Sequence, residues 1–212
     1  MMINRMGFGA VTFWPGKPNN VKTAANHPIP GYLLANGIES NGRVLGFVYP
    51  GERGGEDGDR VHVGKGDFDA SLNGQLVVAG LAYAELYQTM PIELIRHAQE
   101  LVEAARASAA GLWPKEDVAV GRSAQIAGLS NLPEMVMFPK LYRRLVKYFS
   151  DGHSGLGNFD TWIRADAVKR DDTLLMPTGE LGNLHDLYTI DAAGIKLTFN
   201  PEDVIFNPDP PA

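Results

Sequence analysis

The chain has 212 residues, 44% of them hydrophobic and 21% charged, with a formal net charge of −6. That length holds one large domain or two small ones with a real apolar core. The acidic balance argues against a surface that binds nucleic acid throughout and leaves that role to a local basic patch. The absence of cysteine removes disulfides and thiolate metal sites.

The segment Met1 to Phe13 lacks a long apolar region and a small-residue cleavage site, so no signal peptide is expected. No apolar run reaches the roughly 18 residues of a membrane span. A soluble chain, cytoplasmic by default and not bound to membrane, is the expectation.

In chain order, Gly7 to Phe13 alternates like a strand. Four prolines and the Asn19-Asn20 pair predict a loop from Trp14 to Pro30. Tyr32 to Ala35 is a predicted strand, Asn36-Gly37 a turn, and Arg43 to Tyr49 the clearest strand of this half. Pro50 to Gly58 is a charged, glycine-rich loop, and Arg60 to Val63 another candidate strand. One short helix is predicted over 67–79, with Leu72, Leu76 and Val77 inward and Ser71, Asn73 and Gln75 outward. Helical spacing of Ile92, Ile95, Ala98, Val102 and Ala105 predicts a long helix from Pro91, with Gly111 ending it. A second amphipathic helix runs from Phe138 to Phe149, with Leu141, Leu145 and Phe149 on one face. Phe159 to Ala167 reads as a short helix. Segments 188–190, 194–199 and 204–206 alternate like a small β unit. A soft boundary falls near residue 118, dividing the chain into 1–117 and 118–212.

Three blocks carry a resemblance: Asn41-Gly42-Arg43 with its strand, then Gly80-Leu81-Ala82-Tyr83, then a helix closing at Gly111-Leu112-Trp113. In that order they resemble the second half of a staphylococcal-nuclease-like (thermonuclease) domain, over about residues 30–113. Residues 114–212 are similar to an extension carried by some bacterial members. The resemblance implies an α+β chain. Its first part would be an incomplete barrel of the oligonucleotide-binding (OB) type with packed helices, and its second part a smaller helical and β extension. It also implies the family chemistry, hydrolysis of DNA or RNA phosphodiesters with a calcium ion held by carboxylates. Arg43 would be the catalytic arginine, gripping phosphate oxygens as charge builds on them. Tyr83 and Tyr87 would stack on a base of single-stranded nucleic acid.

The departure from the family lies upstream. Residues 1–38 contain no Asp and no Glu, only Arg5, Lys17, Lys22 and His27 as charged or titratable side chains. Calcium requires several hard oxygen ligands, and water requires a general base. Neither can be placed by motif, so no metal ligand is assigned. The reading expects a chain that starts part-way through the domain and cuts weakly or not at all. The alternative is a non-catalytic interaction or nucleic-acid-binding domain on a degenerate nuclease scaffold. Missing strands would leave an exposed sheet edge open to a partner chain or to self-association.

Other candidates have plainer explanations. Asp57-Gly58-Asp59 imitates the family's metal strand but follows Arg43, and reads best as a charged loop. Without the block order, Arg43 is a surface arginine after an Asn-Gly turn, and Tyr83 and Tyr87 read best as core or rim packing. Lys140, Arg143, Arg144 and Lys147 read as a solvated helix face rather than a phosphate track. His185 and Asp186 are adjacent, and neighbours on a strand point to opposite faces, so they make no dyad. The remaining histidines show no metal spacing.

Overall fold

The computed structural model describes residues 2–38, 42, 44–166 and 169–207. The chain folds as two units, residues 1–76 and 77–210. The break falls between Leu76 and Val77 rather than near residue 118; Val118 is fully buried in the core of the second unit. The class is mixed α and β, every sheet is antiparallel, and no sheet among the described residues closes into a barrel.

The first unit opens with α1 (Met2–Arg5) and the hairpin β1 (Val11–Trp14) and β2 (Lys17–Ala24). The loop expected over Trp14 to Pro30 is therefore largely a strand. Pro15-Gly16 makes the turn, Gly16 taking φ +70°, as a proline-then-glycine turn requires. Pro18 is tolerated because β2 is an edge strand. Phe13 lies opposite Val21, and a register shift places Lys22 over the Trp14 ring at 5.1 Å.

The second hairpin pairs β3 (Gly31–Ile38) with β4 (Val44–Pro50). Asn36-Gly37, expected as a turn, lies within β3, at a register shift between Ala35 and Gly37. Tyr32 stacks on Tyr49 at 4.7 Å, and Phe47 meets the edge of Phe68 at 5.4 Å. Burial, then the Asp67 charge, push the Tyr49 hydroxyl up to about 12. No strand forms over 60–63. Asp59 caps its own turn, accepting the Glu56 N–H at 2.9 Å, so the charged-loop reading of this segment agrees with the structure.

The helix predicted over 67–79 is two helices, α2 (Lys65–Ala70) and α3 (Leu72–Val78). Ser71 breaks them with extended backbone. Its hydroxyl donates to Phe68 O at 2.5 Å and accepts the Gly74 N–H at 3.0 Å, which makes it the N-cap of α3. Ser71 is therefore fully buried, not outward.

The second unit contains α4 (Ile92–Ala107), α5 (Pro139–Ser150) and α6 (Phe159–Arg164). Helix α4 buries Leu94, Ile95, Ala98, Val102 and Ala105, but Ile92 is exposed. A three-stranded sheet orders β6 (Leu181–Asn183), β5 (Thr173–Leu175) and β9 (Ile205–Phe206). β7 (Tyr188–Asp191) and β8 (Gly194–Leu197) form a hairpin. The core is assembled on α5, whose Leu141, Leu145, Tyr148 and Phe149 are buried among Phe138, Phe159, Ile163, Leu174, Leu184, Ile195 and Phe206. No helix among the described residues is long and apolar enough to cross a membrane.

Candidate functional site

Two of the blocks that carry the sequence resemblance meet in the second unit. The Leu112 N–H donates to Gly80 O at 2.8 Å. Gly80 and Gly111 take φ +62° and +60°, and a Cβ on Gly80 would lie 2.5 Å from Ala110 O. A Cβ on Gly111 would overlap the Gly80 carbonyl. Only glycine allows both the backbone conformation and this approach. Beside the contact, Tyr83 meets Trp113 edge-on at 5.0 Å and Phe138 at 5.9 Å.

The Tyr83 hydroxyl donates to Glu116 Oε1 at 2.8 Å. Burial, then that hydrogen bond, push its pKa up, so it stays a neutral donor. Glu116 and Glu202 are both buried and share one cation. Arg106 Nη1 bonds Glu116 Oε2 at 2.5 Å, Arg106 Nε bonds Glu202 Oε1 at 2.5 Å, and the guanidinium lies 3.9 Å over the Trp113 ring. Burial lowers the Arg106 pKa, but the two carboxylates outweigh it and the net direction is up. Burial raises the Glu202 carboxyl, and Arg106 only partly offsets this. Arg122 donates to the Glu116 carbonyl. Arg106, Trp113, Glu116, Arg122 and Asn200 line a recess of about 290 Å³. Its central guanidinium is already committed to two carboxylates, so the recess has no ready grip for phosphate.

Tyr87 sits at a second buried network. Its hydroxyl donates to Glu85 Oε1 at 2.5 Å, and its ring lies 6.0 Å from Phe206. Lys140 is buried, bonding Asp172 Oδ1 at 2.8 Å and Glu85 Oε1 at 3.0 Å. Arg144 Nη2 bonds Asp172 Oδ2 at 2.8 Å, Arg143 reaches Glu85 at 3.7 Å, and Lys147 pairs with Asp151. The four cations expected on a solvated helix face are thus all paired, and Lys140 is a core residue.

Desolvation raises the Asp172 carboxyl, but Lys140 and Arg144 outweigh it and hold it below the usual range. A carboxyl with a lowered folded pKa adds stability above its unfolded value, about 4, and loses it as pH falls. Asp172→Asn should therefore lower Tm at pH 7, where it leaves buried Lys140 half-paired. The difference from wild type should shrink between about pH 5 and 3. Thermal melts of both proteins across that range check the sign; a gap that widens on acidification would refute it.

His185 and Asp186 lie on a short 3-10 turn, Leu184–Leu187, not on a strand, and the imidazole has two acid partners, Asp171 and Asp186. Asp171 Oδ2 lies 2.5 Å from His185 Nδ1, and Asp171 Oδ1 accepts the His185 backbone N–H at 2.9 Å. Nε2 faces Arg164 Nη1 at 2.7 Å and Asp186 at 3.3 Å. Both ring nitrogens are therefore engaged by side chains of this unit. A larger cleft of about 490 Å³ is lined by Gln125, Asn131, Leu156, Ile190 and Asp191, among others. Its acid, Asp191, is tied to Lys196 at 3.1 Å.

Arg43 and Asn41 lie outside the described residues. Among the described residues no three of His, Cys, Asp and Glu converge to hold a metal ion. These residues do not fit a calcium site, and no chemical step is derived through one. Nothing in the sequence pointed to Arg106, Glu116 and Glu202, because Arg106 and Glu202 are separated by 96 positions. Compared with family models, curated proteins and solved structures, the chain gives no match.

Proposed function

We propose that the chain is a staphylococcal-nuclease-like protein whose scaffold serves phosphodiester chemistry. The two hairpins of residues 1–76 are read as strands of an OB-type barrel. Arg43 is the phosphate ligand, and single-stranded nucleic acid the partner. The observation that carries this reading is the contact of the Gly80 block with the Gly111 block, residues chosen from sequence order alone. Arg43 would stabilise charge on the phosphate oxygens. Its partner carboxylates have no counterpart in residues 1–38, so the chain by itself should cut weakly or not at all.

A second reading is a non-catalytic interaction domain on the same scaffold. It is favoured by the engagement of the Tyr83 and Tyr87 hydroxyls with Glu116 and Glu85, and by the exposed apolar side chains of the hairpins.

The test is hydrolysis of single-stranded DNA by the purified chain with and without calcium, with Arg43→Ala as control. The expected outcome is little or no cutting, together with DNA binding that Arg43→Ala weakens. Fast calcium-dependent cutting that Arg43→Ala abolishes would overturn the expectation of weak activity. Neither cutting nor binding would favour the interaction domain.

A further inference from the structure

One ring nitrogen in the second unit lies beside two groups that make opposite demands on it. His185 stands on the turn 184–187 with its side chain 13% exposed. Its Nε2 is 2.7 Å from Nη1 of Arg164, the last residue of α6, and 3.3 Å from Asp186 Oδ1 on its own turn. Arginine can only donate a hydrogen bond, and an ionised carboxylate can only accept one. Nε2 therefore bonds Arg164 only while it carries a lone pair, and Asp186 only while it carries a hydrogen. One proton decides which of the two holds the ring.

The surrounding groups hold the imidazole in place for this choice. Asp171, from the segment before β5, is buried and grips the residue twice, Oδ2 at Nδ1 and Oδ1 on the backbone N–H. The Asn183 side-chain amide donates to the Asp171 carbonyl at 3.0 Å. Asp186 is fixed as well: its Oδ2 accepts the Asn183 backbone N–H at 2.9 Å, while Oδ1 reaches the ring. Arg164 has a second anchor inside α6, its Nε donating to Asp160 Oδ2 at 2.8 Å, so it keeps a carboxylate if it leaves the ring. Tyr188 on β7 is the remaining titratable neighbour of the cluster; burial, then Asp160 and Asp171, push its hydroxyl up, and it stays neutral.

We propose that His185 is an acid-released latch between α6 and the 184–187 turn. With the ring neutral, Nδ1–H serves Asp171 and Nε2 accepts from Arg164, which joins α6 to the turn. Uptake of a proton from water puts a hydrogen on Nε2. The bond to Arg164 is then lost, and Nε2 donates to Asp186 instead. The ring is held by Asp171 and its own turn, and Arg164 keeps Asp160 alone. Histidine is the side chain suited to such a change near neutral pH. The latch is independent of the nuclease-like reading, since it involves no phosphate chemistry.

The test is nuclear magnetic resonance of the isotope-labelled full chain, following the His185 ring nitrogens from about pH 8 to 5. At the upper end Nε2 should carry no hydrogen and should show a nitrogen–nitrogen coupling across its bond to Arg164 Nη1. At the lower end Nε2 should carry a hydrogen and the coupling should be gone. Asp186→Asn removes the acidic partner and should move the transition to lower pH. Arg164→Met removes the competing cation and should move it to higher pH. The Asp186 and Arg164 side chains are 45% and 51% exposed, so both variants should fold, and circular dichroism checks this. A histidine with a packing role alone would show neither the exchange of partners nor opposite displacements. A hydrogen on Nε2 throughout, a coupling that persists in acid, or a transition that either variant leaves in place would each overturn the proposal.

Discussion

Replacing Arg106 by methionine should destabilise the protein by about 3–5 kcal/mol, the cost of leaving a buried ion cluster without its partner. The arginine is a single cation serving two buried carboxylates, Glu116 and Glu202. Methionine preserves much of the packing on Trp113 but leaves both acids uncompensated. Burial already raises the Glu202 carboxyl with Arg106 in place; without the arginine it should rise further. A raised folded pKa gives stability that is present at low pH and lost as pH climbs through it. The deficit of Arg106→Met should therefore be greatest near neutrality and shrink on acidification, whereas a simple loss of packing would be independent of pH. Adding Glu116→Gln and Glu202→Gln should recover a large part of the loss. Urea unfolding of the single and triple variants at pH 5 and 7 measures all three expectations. A cost below about 1 kcal/mol would place the cluster with surface ion pairs of little consequence.

Gly111→Ala should cost roughly 3 kcal/mol or more, from two sources. The left-handed backbone costs a side-chain-bearing residue about 1–2 kcal/mol. The added methyl also has no room beside the Gly80 carbonyl, and forcing atoms into a packed site costs about 1–3 kcal/mol. Gly121 is the control, with φ +77° and nothing within 4 Å of an added Cβ. Gly121→Ala should show the backbone cost alone. If the two substitutions melt alike, the contact between the two glycine blocks contributes nothing.

How much was legible in the sequence follows from the range over which each signal acts. Helices α4 and α5 were readable because a stripe of apolar residues at helical spacing needs only neighbouring turns, and Ala98, Val102, Leu141 and Leu145 are all buried. Strand β2 was hidden because Pro18 and two asparagines imitate a loop, and only pairing with β1 makes the segment extended. The break at Ser71 was missed because a buried serine cap looks, in sequence, like an outward polar residue. The charge networks were beyond reach. His185 takes its nearer carboxylate from Asp171, 14 positions upstream, and Lys140 pairs with Asp172, 32 positions away. No local pattern encodes such partners. Tyr83 and Tyr87 were singled out from a motif, and their bonds to Glu116 and Glu85 became visible only with the fold.

Strand β9 has a consequence for the order of assembly. The Phe206 N–H donates to Leu86 O at 2.7 Å, and Phe206 O accepts the Gln88 N–H at 3.0 Å, while the same strand pairs with β5. Phe206 thus ties the opening segment of its unit to a strand formed much later in the chain. Contacts of such long sequence separation bear a large loop-closure entropy before they are rewarded, and they slow folding. On the ribosome, α4 and α5 can form early, but the unit cannot close until residue 206 has emerged. Until then the Phe138 and Tyr87 rings that pack on Phe206 remain uncovered, so the nascent chain is at its stickiest just before its last strand arrives.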